Sequence, residues 1–299
     1  MRSWIAVLMM ATAALAGEPF AKMEGEHVDI LHKGRPLVRY MYAYDASTRE
    51  RKHDTYKVFH HVMNEEGTDT ITKGPGDLYT HHRGIFIGWS GLRHGGKRHD
   101  LWHMKAGCAQ AHREVLKQEA DETKSVLSTR IDWLASDGKT VCLEETRRVT
   151  VYHVDDAHLL LDFETALKAA NGDVELKGDP EHAGFQYRPH EEVVRNKSAR
   201  YTFHEPGVDP KAVPDLPWVA LTYELKDRTY TVQHMNHPAN PKGVKYSAYR
   251  DYGRFGAFFQ KPIKNGETLE LKYRIRITPG ETPPLDTLSE QYAEFAGKN

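Results

Sequence analysis

The sequence predicts an all-β protein: a large antiparallel β-sandwich with a short C-terminal helix. Three observations predict it. Apolar residues recur at every second position over long runs, turn dipeptides separate the runs, and no helical pattern alternates with them. From Ala157 the stretch AHLLLDFETALKA puts Leu159, Leu161, Phe163, Thr165 and Leu167 on one side; from Glu267, ETLELKYRIRI does the same with Leu269, Leu271, Tyr273, Ile275 and Ile277.

The remaining elements follow in chain order. Shorter alternations lie in HVDIL from His27, PLVRYMYAY from Pro36, YKVFHHV from Tyr56 and GIFIGW from Gly84. Further on come SVLSTRIDWL from Ser125, TVCLEETRRVTVYHV from Thr140 and WVALTYEL from Trp218. Lys33-Gly34, Asp137-Gly138, Asn171-Gly172 and Asn265-Gly266 each stand between two such runs and read as hairpin connections. Glu205 to Pro217 reads as a surface loop, because the strands on either side share one character. Only the tail from Leu285 has helical spacing, with Leu285, Leu288, Tyr292 and Phe295 on one face and Gly297 as the stop. The chain reads as a signal peptide over 1–16 and a single sandwich domain over 17–299.

Composition narrows the function classes. The 299 residues carry 41 Lys+Arg against 42 Asp+Glu, with 39% hydrophobic residues. That balance excludes a basic nucleic-acid binder and a disordered acidic chain. Met1 to Ala16, with Arg2, an apolar run and an Ala-Leu-Ala ending, predicts export to the periplasm or beyond. A bilayer span needs about 20 apolar residues, and none is expected. Export makes a Cys108–Cys142 disulfide and two buried thiols equally good readings of the only cysteine pair.

Histidine is the unusual count, eighteen in one chain. Imidazole titrates near neutral pH and binds metals readily. Its densest stretch is HHRGIFIGW, with His81, His82, Arg83 and Trp89; Arg83 has a planar fork suited to a carboxylate. His60-His61 must point to opposite faces if extended. KRHDLWHMKAG supplies Asp100, Trp102 and His103, with Trp102 a candidate platform for a sugar ring. GDPEHAGFQYRPH carries Asp179, Glu181, His182, Gln186, Arg188 and His190, a polar pocket lining or a polar surface loop. In HMNHPANP, the prolines stiffen a loop that fixes His237 and Asn240, as a preorganised site needs and as a simple turn also would.

The order of these pieces, from YKVFHHV through HHRGIFIGW, DLWH, LEETRRV, HAGFQYR and NHPANP to YGRFGAFF and GETLELKYRIRI, resembles the PmoA-like family of secreted bacterial proteins. The resemblance implies a layout similar to the galactose-mutarotase-like sandwiches and a place among sugar-catabolic proteins. It does not bring methane oxidation, which the family name suggests, because a membrane oxygenase subunit needs several apolar spans. Asn236 stands before His237 where the family has an acidic residue, and Ala183 stands where a glycine is common.

The expected activity is that of a sugar-active lyase, hydrolase or epimerase with His82, His182 and His237 as acid and base. Arg83, Trp89, Asp100, Trp102, Gln186, Arg188 and Asn240 would bind the substrate. A divalent metal on His81, His82, His103 and His237 would add Lewis acidity, and no nucleotide cofactor is expected. The alternative is a non-catalytic carbohydrate-binding sandwich in which Trp89, Trp102 and Tyr187 stack on sugar rings. The enzyme reading requires His82, His103, His182 and His237 to meet in one cleft.

Overall fold

The computed structural model describes residues 18–297, so the leader expected over 1–16 lies outside the described residues. The architecture is mostly β, with three antiparallel sheets. The first has eight strands, in spatial order Phe20–Met23, His27–His32, Arg35–Met41, Phe59–Val62, Ile85–Trp89, Ala183–Tyr187, Phe255–Phe258 and Lys245–Tyr246. The second also has eight, in order Arg200–Phe203, Trp218–Leu225, Arg228–Asn236, Thr268–Pro279, Leu159–Lys168, Val141–Tyr152, Lys124–Leu134 and Ala109–Ala120. A four-stranded sheet of Lys261–Ile263, Val174–Leu176, Leu92–His94 and Lys97–His99 adds Leu92, Val174, Leu176 and Ile263 to the core that the two larger sheets share.

Alternation decides what each sheet buries. In Leu159–Lys168 the residues Leu159, Leu161, Phe163, Thr165 and Leu167 are buried while those between are half-buried or exposed. One apolar cluster joins Val28, Ile85, Ile87 and Trp89 of the first sheet to Leu161, Phe163 and Ile275 of the second. Burial at about 25 cal/mol per Å² of apolar surface makes this shared core the dominant stabilising contribution. The opposite side of Ile85–Trp89 behaves differently. Phe86 belongs with Phe59 and Trp102 to a separate small cluster on the outer face of the first sheet.

Two of the turn dipeptides make hairpins and two do not. Lys33-Gly34 joins His27–His32 to Arg35–Met41, and Asp137-Gly138 joins Lys124–Leu134 to Val141–Tyr152, as paired neighbours. Asn171-Gly172 and Asn265-Gly266 instead carry the chain between the second sheet and the four-stranded one. These two corners are tied together, Gly172 N–H donating to Asn265 Oδ1 at 2.8 Å.

The C-terminal helix, Leu285–Ala296, seats Leu288 and Phe295 on Trp218, Ala220 and Met235. A short helix that has no apolar stripe, Arg49–Thr55, starts where Thr48 Oγ1 accepts from Arg51 N–H. Cys108 and Cys142 are buried free thiols. Burial pushes the Cys108 thiol up to about 11 and the Cys142 thiol up to about 12, so both behave as small apolar side chains. Among the described residues no helix is long and apolar enough to cross a membrane.

Candidate functional site

The outer face of the first sheet carries the densest chemistry. The pairing of Ile85–Trp89 with Ala183–Tyr187 sets Phe86 opposite Gln186. Because alternate residues share a face, Ile85, Ile87, Phe185 and Tyr187 enter the core while Phe86 and Gln186 point outward. Two loops fold over that face. Leu101 N–H bonds to Trp89 O at 3.0 Å and anchors one of them, which brings Trp102 onto Phe86, ring centroids 4.8 Å apart. Arg83 anchors the other by donating to the carbonyls of Thr80, of His82 at 2.8 Å and of His53 at 3.0 Å.

Each of two turns then builds the same device. In Asp100-Leu-Trp-His103, Asp100 Oδ1 accepts the backbone N–H of His103 at 2.9 Å while Oδ2 accepts from the His103 ring Nδ1 at 2.9 Å. In Asp179-Pro-Glu-His182, Asp179 Oδ1 accepts the N–H of Glu181 at 2.9 Å and the His182 Nδ1 at 2.9 Å. A carboxylate on Nδ1–H fixes the tautomer and leaves Nε2 as the basic nitrogen. The two rings lie 5.3 Å apart.

Further ring contacts run on from this pair. His103 touches His81 at 4.5 Å, His81 touches His82 at 4.5 Å, His82 stacks on Tyr79 at 5.1 Å, and Tyr79 stacks on Tyr252 at 5.1 Å. Arg254 sits over Tyr252 at 5.5 Å and donates to Glu181, the neighbour of His182, at 2.9 Å. The circuit therefore closes on itself. Lys57 and Arg188, both buried, complete it: Lys57 Nζ lies 4.4 Å and Arg188 Cζ 5.9 Å from the Phe86 ring centre.

Electrostatics follow from this crowding of cations. Burial, then the charge of Lys57, pulls the His81 imidazole down to about 2. Burial, then Arg188, holds His82 well below its ordinary value, so both rings are neutral at physiological pH. Burial alone would raise Asp100, but the hydrogen bonds from the ring and backbone of His103 outweigh it and set the carboxyl at about 2. Glu181 is also held at about 2, chiefly by its bond from Arg254. The dyad carboxylate of His103 is thus ionised throughout the useful pH range.

The predicted residues divide. His81, His82, His103, His182, Asp100, Gln186, Arg188 and Trp102 come together here. His237 and Asn240 do not, because the HPANP loop leaves the second sheet; the four-histidine cleft that the enzyme reading required is therefore not formed, and only His82, His103 and His182 of that set share one face. His237 faces Phe295 at 5.1 Å and lines a cavity of about 200 Å³ with Tyr152, Asp162 and Arg274. Asn240 is spent within its own loop and strand, its Nδ2 donating to Lys272 O at 2.7 Å and to Asn236 Oδ1 at 2.9 Å and its Oδ1 accepting from Lys272 N–H at 2.9 Å. Trp89 is fully buried in the core with Nε1 on Phe259 O, and Tyr187 is buried against Tyr223, so neither offers a ring to a sugar. Trp102 is likewise fully buried, a floor under the loops and not a surface platform. Arg83 spends both terminal nitrogens on loop carbonyls, which leaves it no paired edge for a substrate carboxylate.

The four-histidine metal set is divided in the same way. Among the described residues no group of three or more His, Cys, Asp or Glu is arranged to hold a metal ion. A cavity of about 680 Å³ against His32, Lys33, Glu122, His153 and Asp155 lies elsewhere and contains neither dyad.

Asp179 is legible in GDPEHAGFQYRPH as a polar residue, and the Asp-x-x-His spacing it shares with Asp100 is the signal for its pairing with His182. Lys57, Tyr79, Tyr252 and Arg254 carry no such signal, because only the fold brings their loops together. Among proteins of established function no match is found. The model of a family described as "Family of unknown function (DUF6807)" matches residues 27–291, and the chain belongs to that family.

Proposed function

We propose that this protein is an extracytoplasmic, carbohydrate-active enzyme that moves protons on a sugar-derived substrate, with His103 and His182 as the acid–base pair. One observation carries the reading: two Asp-x-x-His dyads, each with a carboxylate on the ring Nδ1, present their rings to each other at 5.3 Å. A carboxylate-oriented imidazole is a good general base at neutral pH, and two side by side let one remove a proton while the other returns it. Transfer at a sugar carbon, the step shared by lyases and epimerases, fits better than glycoside hydrolysis. Hydrolysis asks one carboxyl to stay protonated, whereas Asp100 is held at about 2. The resemblance to PmoA-like proteins points to sugars as the substrate class and to the exported compartment.

The test is solvent-deuterium exchange and product formation on a panel of neutral, acidic and keto sugars, with metal analysis of the purified protein alongside. The wild type is expected to label or convert at least one sugar, and the His103→Ala, His182→Ala double variant to lose at least about 10²-fold in rate. Turnover unchanged in the double variant would remove the site. Saturable binding without exchange or turnover on any member would make the protein a carbohydrate-binding sandwich.

A further inference from the structure

The buried arginines of this protein fall into two groups. Arg147 is held by Glu145, Arg274 by Asp162, Arg254 by Glu181 and Arg276 by Asp156, each within ion-pair distance. Arg83 and Arg188 have no carboxylate within that distance among the described residues. For Arg83 both terminal nitrogens are taken by three backbone carbonyls, and only Nε is left without a partner among the described residues.

Arg188 is different. Only Nη1 is engaged, by Gln186 Oε1 at 2.7 Å, Tyr187 O at 3.0 Å and Phe255 O at 3.3 Å. Nε and Nη2, the edge of the guanidinium that binds a carboxylate side-on, make no hydrogen bond among the described residues, although the residue is only 2% exposed. A buried cation with two idle donors is costly to maintain. Beside it, Lys57 Nζ bonds only to the carbonyls of Trp102 and of His81, and the Lys57 and Arg188 charges share the rings of Phe86 and Trp102. The neighbouring carboxylates are committed, Asp100 to His103 and Glu181 to Arg254, Arg250 and Tyr249.

We infer that Arg188, backed by Lys57, is a carboxylate-recognition subsite behind the two dyads, so that the substrate is an acidic sugar such as a uronic acid. This rests on the acid–base reading above and names its substrate class. A planar guanidinium takes a carboxylate through two parallel hydrogen bonds, and among the described residues neither Arg188 nor Lys57 has a carboxylate within ion-pair distance, Glu181 and Asp100 acting on them only from farther away. A carboxylate held there also acidifies the hydrogen on the adjacent sugar carbon, the proton that a neutral imidazole would remove. Gln186 is the positioning residue, holding Nη1 so that the other edge stays free. The fork is covered in the chain as it stands. Binding entails movement of the loop carrying Tyr79, which is 44% exposed and is the outermost ring of the circuit.

The test compares D-galacturonate with D-galactose by calorimetry and by the imidazole NMR signals of the full chain. Galacturonate is expected to bind at least about tenfold more tightly than galactose, to weaken as salt is raised, and to shift the His103 and His182 signals. Arg188→Lys should lose about tenfold for galacturonate, and Arg188→Met should abolish the preference for galacturonate over galactose. If Arg188→Met does not fold, the two sugars and the salt series on the wild type still decide. Equal affinity for both sugars, or binding of neither, overturns the inference and assigns the idle donors to trapped water. Dyad-dependent turnover confined to neutral sugars overturns it but leaves the proposed function standing. Tight galacturonate binding without turnover or exchange does the reverse.

Discussion

Asp100 and Asp179 hold their histidines in the same way but at different depths, and this separates what each contributes. The Asp100 side chain is 11% exposed and that of Asp179 is 55% exposed. Water screens an exposed charge, so Asp179 orients His182 more than it stabilises a positive ring, whereas Asp100 does both. Asp100→Asn is therefore expected to lower kcat by roughly 10²- to 10⁴-fold with little change in KM. Asp179→Asn should cost less, and equal losses in steady-state rates would refute the distinction. At this scale the sequence was a partial guide. Asp100 and His103 could be picked out by residue type and spacing, but nothing in DLWH says that the chain lies down on Phe86, which turns Trp102 from a surface ring into a floor.

Strands and turns were more legible than the site because alternation is a local property and loop convergence is not. Leu159 to Leu167 announce one buried face, and the structure buries that face. Asn171-Gly172 and Asn265-Gly266 look like hairpin turns because the dipeptide sets the local bend, while strand partners are chosen by distant residues. Arg49–Thr55 escaped notice for the opposite reason: a charged helix on the surface has no apolar period to read. The strand Phe255–Phe258 shows how one element serves the site. A Cβ on Gly256 would meet Phe185 O at 2.2 Å and Gln186 Cδ at 2.5 Å. Gly256→Ala should therefore push aside the Gln186 clamp on Arg188 and destabilise the fold by roughly 1–3 kcal/mol. Unchanged stability in urea, with unchanged carboxylate binding, would show that the strand yields. The C-terminal helix makes a clean contrast, being seated on the second sheet. Leu288→Ala should cost roughly 2–5 kcal/mol by leaving a cavity against Trp218 and Met235, yet the folded variant should keep the dyads intact and the rate per folded molecule unchanged.

Across the whole molecule the histidine excess has a second consequence, which is acid sensitivity. His60, His61, His82 and His234 are all buried. Burial is the leading cause in each case, and it takes His61 and His234 down to about 3 and His60 and His82 well below the ordinary value. In the unfolded chain the same rings protonate near about 6.5. The folded state therefore binds fewer protons than the unfolded one, and this stabilising contribution is fully present above about pH 6.5. It is lost as pH falls from there toward about 3, at roughly 1.4 kcal/mol per pH unit for each ring. The depressed carboxyls act lower: Asp100, at about 2, contributes stability that persists down to about pH 4 and disappears between about pH 4 and 2. The two groups predict different onsets. If buried histidine dominates, Tm falls steadily between pH 7 and 5, and unfolding at pH 5 takes up several protons by calorimetry in buffers of different ionisation enthalpy. A Tm that holds level to pH 5 and drops only below pH 4 would mean that the carboxyls govern and that the buried rings find protonated alternatives within the fold.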